Sequence, residues 1–272
     1  MISCKDYVEI RKKELKEKIA NFEKQPALCV IQVGDDQASN SYIKGKKKDC
    51  EEVGIKLGHV RYDGNIGTAT LKNIIRECSA GDSFDGIIVQ LPLPAHINVD
   101  EIINCIPAEK DVDGFRRDSH FDPCTPKGIV DWLEYNEYSL EGEDIVVVGR
   151  SKIVGKPLVN MLIDRGATVT CCNSKTNRLE HYTNYADVVI SAIGKPKYFD
   201  DTYFANANVV IDVGINRDEN GKLCGDVDRD DIDKNVYVTP VPGGVGLLTR
   251  LALLENVVRA YEVSNGEVSC IL

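Results

Sequence analysis

The sequence predicts an α/β protein of two domains, each a parallel sheet flanked by helices. Three observations carry this. Strand-like apolar runs alternate with helical patterns along most of the chain. The alternation breaks in FRRDSHFDPCTPKGIVDWLEYN (115–136) and restarts at about residue 144. At 272 residues the chain is long for one small module and fits two modest domains. A chain of this length buries roughly 70–75% of its unfolded surface, so it needs no disulfide or metal staples.

The elements follow in order. ALCVIQV (27–33) reads as a buried strand ending in Gly-Asp-Asp, a turn signal. SNSYIKGKKKDCEEVG follows as a helix, with Ser39 or Asn40 placed to cap it and Gly54 to end it. KLGHVRY (56–62) is the next strand. TATLKNIIRECSA (68–80) carries Leu71, Ile74, Ile75 and Cys78 at helical spacing. GIIVQ (86–90) is a short strand stopped by Leu-Pro-Leu-Pro. In the second half DIVVVG (144–149) runs straight into a glycine turn, and GKPLVNMLIDRG (155–166) is a helix. ATVTCC (167–172), DVVISAIG (187–194), NVVIDVG (208–214) and VYVTP (236–240) complete the second sheet. Pro126 suits the first position of a helix at the junction. GVGLLTRLALLENVVRAYEV (244–263) is a long apolar helix pattern that needs a partner surface, so it is expected to pack back on the first domain.

Composition excludes several classes. Hydrophobic residues make 43% and charged residues 28%, which rules out general disorder. With 33 basic residues against 43 acidic ones, the net charge is −10, which argues against broad nucleic-acid binding. The charged N-terminus reads as no signal peptide, and no run approaches the ~18 apolar residues of a membrane span. The ten cysteines (4, 29, 50, 78, 105, 124, 171, 172, 224 and 270) form no Cys-x-x-Cys, and the four histidines are scattered, so no metal site is expected. They read as reduced thiols in a cytoplasmic protein.

VVVGRSKIVGKP (146–157) has the order strand, glycine turn, helix, with Gly149, Ser151 and Gly155 spaced Gly-x-Ser-x-x-x-Gly. Backbone N–H groups at such a helix start can face a pyrophosphate. Serine at the second glycine position departs from Gly-x-Gly-x-x-Gly, so a plain strand–helix turn stays open. A Walker A loop fails on spacing and on Pro157, and a nucleophile elbow fails because Ile153 takes its second glycine position. TVTCCNSKTNR (168–178) holds no acid; the next is Glu180. A carboxylate there would bind a ribose hydroxyl. Arg150, Ser174 and Lys175 instead favour a ribose phosphate, hence NADP, with exposed loop polars as the alternative.

In the first half, Tyr42 and Lys46 are four apart and share a helix face. Gln90 ends a strand whose carboxyl edge is the usual ligand edge of a parallel sheet, and Asp113 sits in KDVDG. Taken singly these are also a solvated lysine face, a strand-end amide and a turn acid.

SNSYIKGKKKDCEEVGI, DGIIVQLPLPAHI, PAEKDVDGF, CTPKGIVDWLE, VVVGRSKIVGKPL, DVVISAIGKP, VVIDVGIN, GDVD and TPVPGGVGLLT occur in that order. Together they closely resemble the methylenetetrahydrofolate dehydrogenase/methenyltetrahydrofolate cyclohydrolase family, from about Gln32 to Val258. The resemblance implies an N-terminal folate and catalytic domain (1–122 plus 250–272) and a C-terminal Rossmann-type NADP domain (123–249). Two helices, near 126–137 and 246–263, are expected to join the domains, and the resemblance implies a cleft between the domains that holds the folate, and a homodimer. It carries over Tyr42, Lys46, Gln90 and Asp113 as catalytic and folate-binding residues, with Leu91, Pro92, Pro242, Gly243, Gly244 and Leu247 also lining the folate. Thr125, Gly149, Arg150, Ser151, Ile153, Gly155, Ser174 and Ile215 would hold NADP. Lys44, Lys47 and Lys48 could attract an acidic, polyglutamylated folate tail.

Two departures stand out. The family's Pro-Gly-Gly-Val-Gly-Pro-Met-Thr reads PGGVGLLT here, with Leu247 and Leu248 in place of Pro and Met. The common His-Ser-Lys/Arg-Thr reads NSKT, with Asn173 in place of His. The rival readings are a two-domain dehydrogenase for a small keto acid, which gives no reason for Tyr42, Lys46 and Gln90 together, and a non-catalytic NADP-binding sensor.

Overall fold

The computed structural model describes residues 1–267; Cys270 lies outside them. The chain forms two compact units. The first comprises Ile10–Cys124 and the chain from Arg250 on; the second comprises Met1–Glu9 and Thr125–Thr249. The first nine residues group with the later unit. Cys4, Tyr7 and Val8 give the reason: all three are buried. The Tyr7 ring packs on Tyr135 at 4.9 Å, and the Ile2 carbonyl accepts from the Trp132 indole at 3.3 Å. These few apolar residues anchor the stretch.

The first helix, α1 (Cys4–Ile19), crosses between the units. The first unit then builds β1 (Ala27–Val33), α2 (Gln37–Val53), β2 (Lys56–Tyr62), α3 (Thr68–Ser79), β3 (Gly86–Val89) and α4 (Val99–Ile103). Its three strands run parallel in the order β2-β1-β3, with Leu28 opposite both Leu57 and Gly86. Every residue of the central strand β1 is buried, which suits its unbroken apolar run, while the edge strand β2 is largely open. Ile31, Leu71, Ile75, Ile87, Ile102 and Ile106 form one core on a face of this sheet.

The α2 cap differs from expectation. Asp36, rather than Ser39 or Asn40, caps the helix, its carboxylate accepting from Ser39 N at 2.7 Å. A carboxylate suits the positive end of the helix and lets it begin a few residues early. Gly54 ends α2 as expected, at φ +94°.

The second unit opens with α5 (Cys124–Tyr135) and continues through β4 (Asp144–Val148), α6 (Gly155–Ile163), β5 (Thr168–Cys172), α7 (Leu179–Thr183), β6 (Val188–Ser191) and β7 (Val209–Asp212). A small hairpin of β8 (Asn216–Arg217) and β9 (Leu223–Cys224) precedes β10 (Tyr237–Val238), and α8 (Val245–Ser264) follows. α5 starts two residues before Pro126, which sits in the first turn, where a missing N–H leaves no helical bond unmade. The main sheet is parallel in the order β10-β7-β6-β4-β5, the doubly wound 2-1-3-4-5 arrangement counted from β4. Its core gathers Val146, Val148, Val189, Phe199, Phe204 and Val210. From Arg250 on, α8 belongs to the first unit, where Tyr261 stacks on Phe22 at 4.6 Å.

Candidate functional site

In a doubly wound sheet the ligand edge is the carboxyl end of the strands where the order reverses. In the first unit that point lies between β1 and β3. Gln90 follows β3 directly and its N–H donates to Ile31 O at 2.8 Å, so the ladder fixes where its side chain begins. Its Oε1 accepts from Lys46 Nζ at 3.1 Å, and its Nε2 donates to Leu91 O at 2.8 Å. Lys46 is buried on α2. The amide is thus used at both ends, and it holds one amine hydrogen in a set direction. Ser39 Oγ also reaches Leu91 O, at 3.4 Å, tying the start of α2 to the same loop. Pro92 is exposed beyond it, after a cis Leu91–Pro92 bond.

Asp113 joins this group through charge. Burial pushes its carboxyl up, and the Lys46 charge pulls it back down. Cys124 Sγ donates to Asp113 Oδ1 at 3.9 Å. Tyr42 lies one turn before Lys46 on α2, half-buried, with burial raising its phenol and Arg250 opposing the shift. The structure therefore joins Lys46 to Gln90 by a hydrogen bond, with Tyr42 on the same helix face and Asp113 within electrostatic reach of Lys46. Pro242, Gly243, Gly244, Leu247 and Thr125 belong to the second unit. There Thr125 and Thr249 share a hydroxyl contact of 3.0 Å. Leu248, one of the two departures in the glycine loop, is fully buried.

In the second unit the reversal lies between β4 and β6. Gly149 leaves β4 at φ +133°, a conformation L side chains rarely adopt, and a Cβ there would come 2.5 Å from Ala192 O, just past β6. A Cβ on Gly155 would come 2.1 Å from Gly149 O. Both glycines are required by close backbone approach. Ser151 Oγ accepts from Val154 N at 3.2 Å and from Gly155 N at 3.3 Å, so it shapes the turn before α6. That gives the serine at the second glycine position a physical role. Arg150 and Ser174 are exposed at the carboxyl ends of β4 and β5, as is Lys175. Asn173 Oδ1 accepts from Lys175 N at 3.0 Å, and Thr176 N donates to Asn173 O at 2.8 Å. Asparagine in the usual histidine place closes this turn. Ile153 and Ile215 are exposed apolar side chains beside the edge, 40% and 53% accessible. A turn tightened at Gly149 and Gly155, exposed Arg150, Ser174 and Lys175 with no carboxylate among them, and apolar Ile153 and Ile215 fit a phosphorylated dinucleotide.

One residue of this edge escaped sequence reasoning. Buried Asp226, in the GDVD run, accepts from Ser191 Oγ (2.8 Å), Ile193 N (2.8 Å), Gly194 N (3.3 Å), Lys195 N (2.9 Å) and Asn216 Nδ2 (2.9 Å). It fixes the 192–195 loop that abuts Gly149. Its neighbour Asp212 accepts from Gly214, Asp226 and Val227 N–H groups at 2.9 Å each, and burial pushes its carboxyl up to about 6. The signal was two short acids beside glycines, whose partners are distant in sequence. Among the described residues no group of His, Cys, Asp and Glu could hold a metal ion.

A doubly wound dinucleotide-type edge in one unit and a buried amine–amide–carboxylate group in the other define a two-domain α/β dehydrogenase. Two family models match the chain. The tetrahydrofolate dehydrogenase/cyclohydrolase catalytic domain matches residues 2–113, and the NAD(P)-binding domain of the same family matches residues 123–265. The bifunctional protein FolD of Bacillus cereus is 44% identical over 96% of each chain. The structure of the bifunctional FolD enzyme from Campylobacter jejuni aligns with a TM-score of 0.93 at 42% identity, covering 98% of both chains. The Trypanosoma brucei dehydrogenase–cyclohydrolase, complexed with NADP and an inhibitor, aligns at 0.91 and 29% identity over 97% of this chain and 98% of its own. The chain belongs to the tetrahydrofolate dehydrogenase/cyclohydrolase family.

Proposed function

We infer that the protein oxidises 5,10-methylenetetrahydrofolate to 5,10-methenyltetrahydrofolate with NADP and hydrolyses that product to 10-formyltetrahydrofolate. The observation that carries the reading is the Lys46–Gln90 hydrogen bond of 3.1 Å, an amine aimed by an amide at the ligand edge of the first sheet. Both activities are named for the bifunctional relatives, and NADP for the trypanosomal one.

In the first step a ring-nitrogen lone pair of the substrate forms a C=N bond as the bridging carbon gives up a hydride. Bound NADP supplies the acceptor for that hydride. Gly149, Ser151 and Gly155 would hold its pyrophosphate, Arg150 and Ser174 its ribose phosphate, and Thr125, Ile153 and Ile215 its flanks. In the second step water adds to the methenyl carbon, the bond from that carbon to one nitrogen breaks, and a net proton is released. Lys46, as the neutral amine, takes the proton from the attacking water, and Gln90 fixes the direction of its lone pair. Asp113 pairs with the guanidine-like edge of the pterin, and Tyr42 stacks on the flat part of the folate and excludes water. Leu91 and Pro92 line the folate. The first unit is thus the folate side and the second the NADP side.

We further propose a homodimer working in the cytosol on polyglutamylated folates. The nine described cysteines, all thiols, support a reducing compartment, and no described helix is long and apolar enough to cross a membrane.

The test follows methenyl formation and decay in one cuvette with methylenetetrahydrofolate and NADP. A non-catalytic NADP-binding protein gives no change. Lys46→Met is expected to abolish hydrolysis of preformed methenyltetrahydrofolate, a loss of ~10²–10⁴-fold, and to keep NADP binding. Lys46→Arg should not restore it, because arginine stays protonated. Hydrolysis by the Met variant at near the parent rate, after subtracting the spontaneous reaction, would remove Lys46 from this role.

A further inference from the structure

Arg250 lies where α8 enters the first unit, and its guanidinium is only partly satisfied. Its Nε approaches Asp49 Oδ2 at 2.7 Å, an ion pair off the line of a directed hydrogen bond. Asp49 is buried and also takes Lys12 Nζ on its other oxygen at 2.5 Å. Nη1 of Arg250 lies over Gly45: a Cβ at that glycine would come 2.3 Å from Nη1 and 3.2 Å from Cζ. Tyr42, Gly45, Lys46 and Asp49 are spaced three and four apart and make one stripe along α2. The missing side chain of Gly45 is the space that the guanidinium fills. Its charge is felt by the Tyr42 phenol. Among the described residues Asp49 is the partner of this guanidinium, and its Nη groups meet no protein acceptor.

An arginine with open Nη donors, its charge position pinned by a buried carboxylate, is built to take a second oxyanion. The anionic groups of a folate are the carboxylates of its glutamyl tail; the pterin is neutral and the methenyl bridge is cationic. Lys44, Lys47 and Lys48 are poorer candidates for that tail. All three are exposed, and Lys47 has Glu51 at 4.0 Å. Arg250 has 26% of its side chain accessible and is fixed by Asp49 and by the groove over Gly45.

We propose that Arg250 is a specificity residue that reads a carboxylate of the glutamyl tail. This rests on the reading of Tyr42 and Lys46 as the folate site. The experiment compares two methenyl substrates, one with the glutamyl tail and one whose glutamate is replaced by a neutral methylamide. The parent is expected to prefer the glutamylated substrate by about tenfold in kcat/KM, the scale of a charge-assisted pair. In Arg250→Met that preference should fall to near one. Gly45→Ala provides a second variant if the first does not fold: its methyl displaces the guanidinium while alanine favours the helix, so the preference should fall without loss of thermal stability. A preference that stays near tenfold in the folded variant overturns the proposal. So does a change confined to the KM for NADP, which would assign the guanidinium to the cofactor. Lys46→Met run alongside separates the two readings: if it still hydrolyses both substrates at the parent rate, the catalytic assignment fails, whatever the tail preference does.

Discussion

Replacing Asp226 by asparagine changes one atom and little volume, yet it reverses hydrogen-bond polarity at a crowded point. Both carboxylate oxygens accept only: Oδ2 from Ser191 Oγ, Ile193 N and Gly194 N, and Oδ1 from Lys195 N and Asn216 Nδ2. An amide keeps one acceptor and puts an NH₂ against the donors of the other. The cheaper placement is at the Oδ1 position, because Asn216 can flip its own amide to accept. That still strands Lys195 N and strips charge assistance from the three contacts at Oδ2. A stranded donor costs ~1–3 kcal/mol and a charged bond is worth more than a neutral one, so the total is roughly 2–4 kcal/mol. Because the released 192–195 loop abuts Gly149, the KM for NADP should rise about tenfold or more, while hydrolysis of preformed methenyltetrahydrofolate falls far less. The assay pairs urea denaturation with dehydrogenase and cyclohydrolase kinetics on one preparation. A stability loss below ~0.5 kcal/mol together with an unchanged KM for NADP would refute the reasoning.

Arg150→Ala should weaken NADP about tenfold and leave NAD nearly untouched, as expected for a solvent-exposed contact to a ribose phosphate; equal losses for both in a binding titration would show that Arg150 does not read the phosphate. Asp111 is fully buried, accepts from Arg116 N at 2.8 Å through Oδ2, and has no partner for Oδ1. Burial raises its carboxyl from the ordinary 3.8 to about 6. The folded state therefore binds this proton more tightly than the unfolded chain. The resulting stability is complete below the ordinary value and is lost as pH rises through about 6. Asp111→Asn, which puts an NH₂ at the unpartnered position, should be more stable than the parent at pH 7.5 and lose that advantage by about pH 4. Denaturation midpoints for both proteins across this range check it, and a difference independent of pH would count against it.

Most of the alternation was legible in the sequence because fully buried parallel strands have a local signature. ALCVIQV was placed to the residue, and so was the open edge strand KLGHVRY, since the turn glycines and acids beside both stop a strand wherever it lies. Gly54 was legible for the same reason: a left-handed helix end needs glycine locally. The short helices α4 and α7, the hairpin of β8 and β9, and the N-terminal helix lacked such a signature. They are polar or only a few residues long, and tertiary contacts such as Tyr7 on Tyr135 hold them. Tyr42 and Lys46 could be placed on one helix face by spacing alone. That Gln90 holds the Lys46 amine could not, because it depends on the register of β3 beside β1, which brings residues 44 apart into contact. The same holds for Asp226 and for Arg250. Each was an ordinary charged residue in a short run, and only the fold set its carboxylate under three backbone N–H groups or its guanidinium over a glycine. Local chemistry determined the elements and the residue types. Long-range packing decided which donors and acceptors meet, because a hydrogen bond depends on distance and angle that spacing along the chain does not encode.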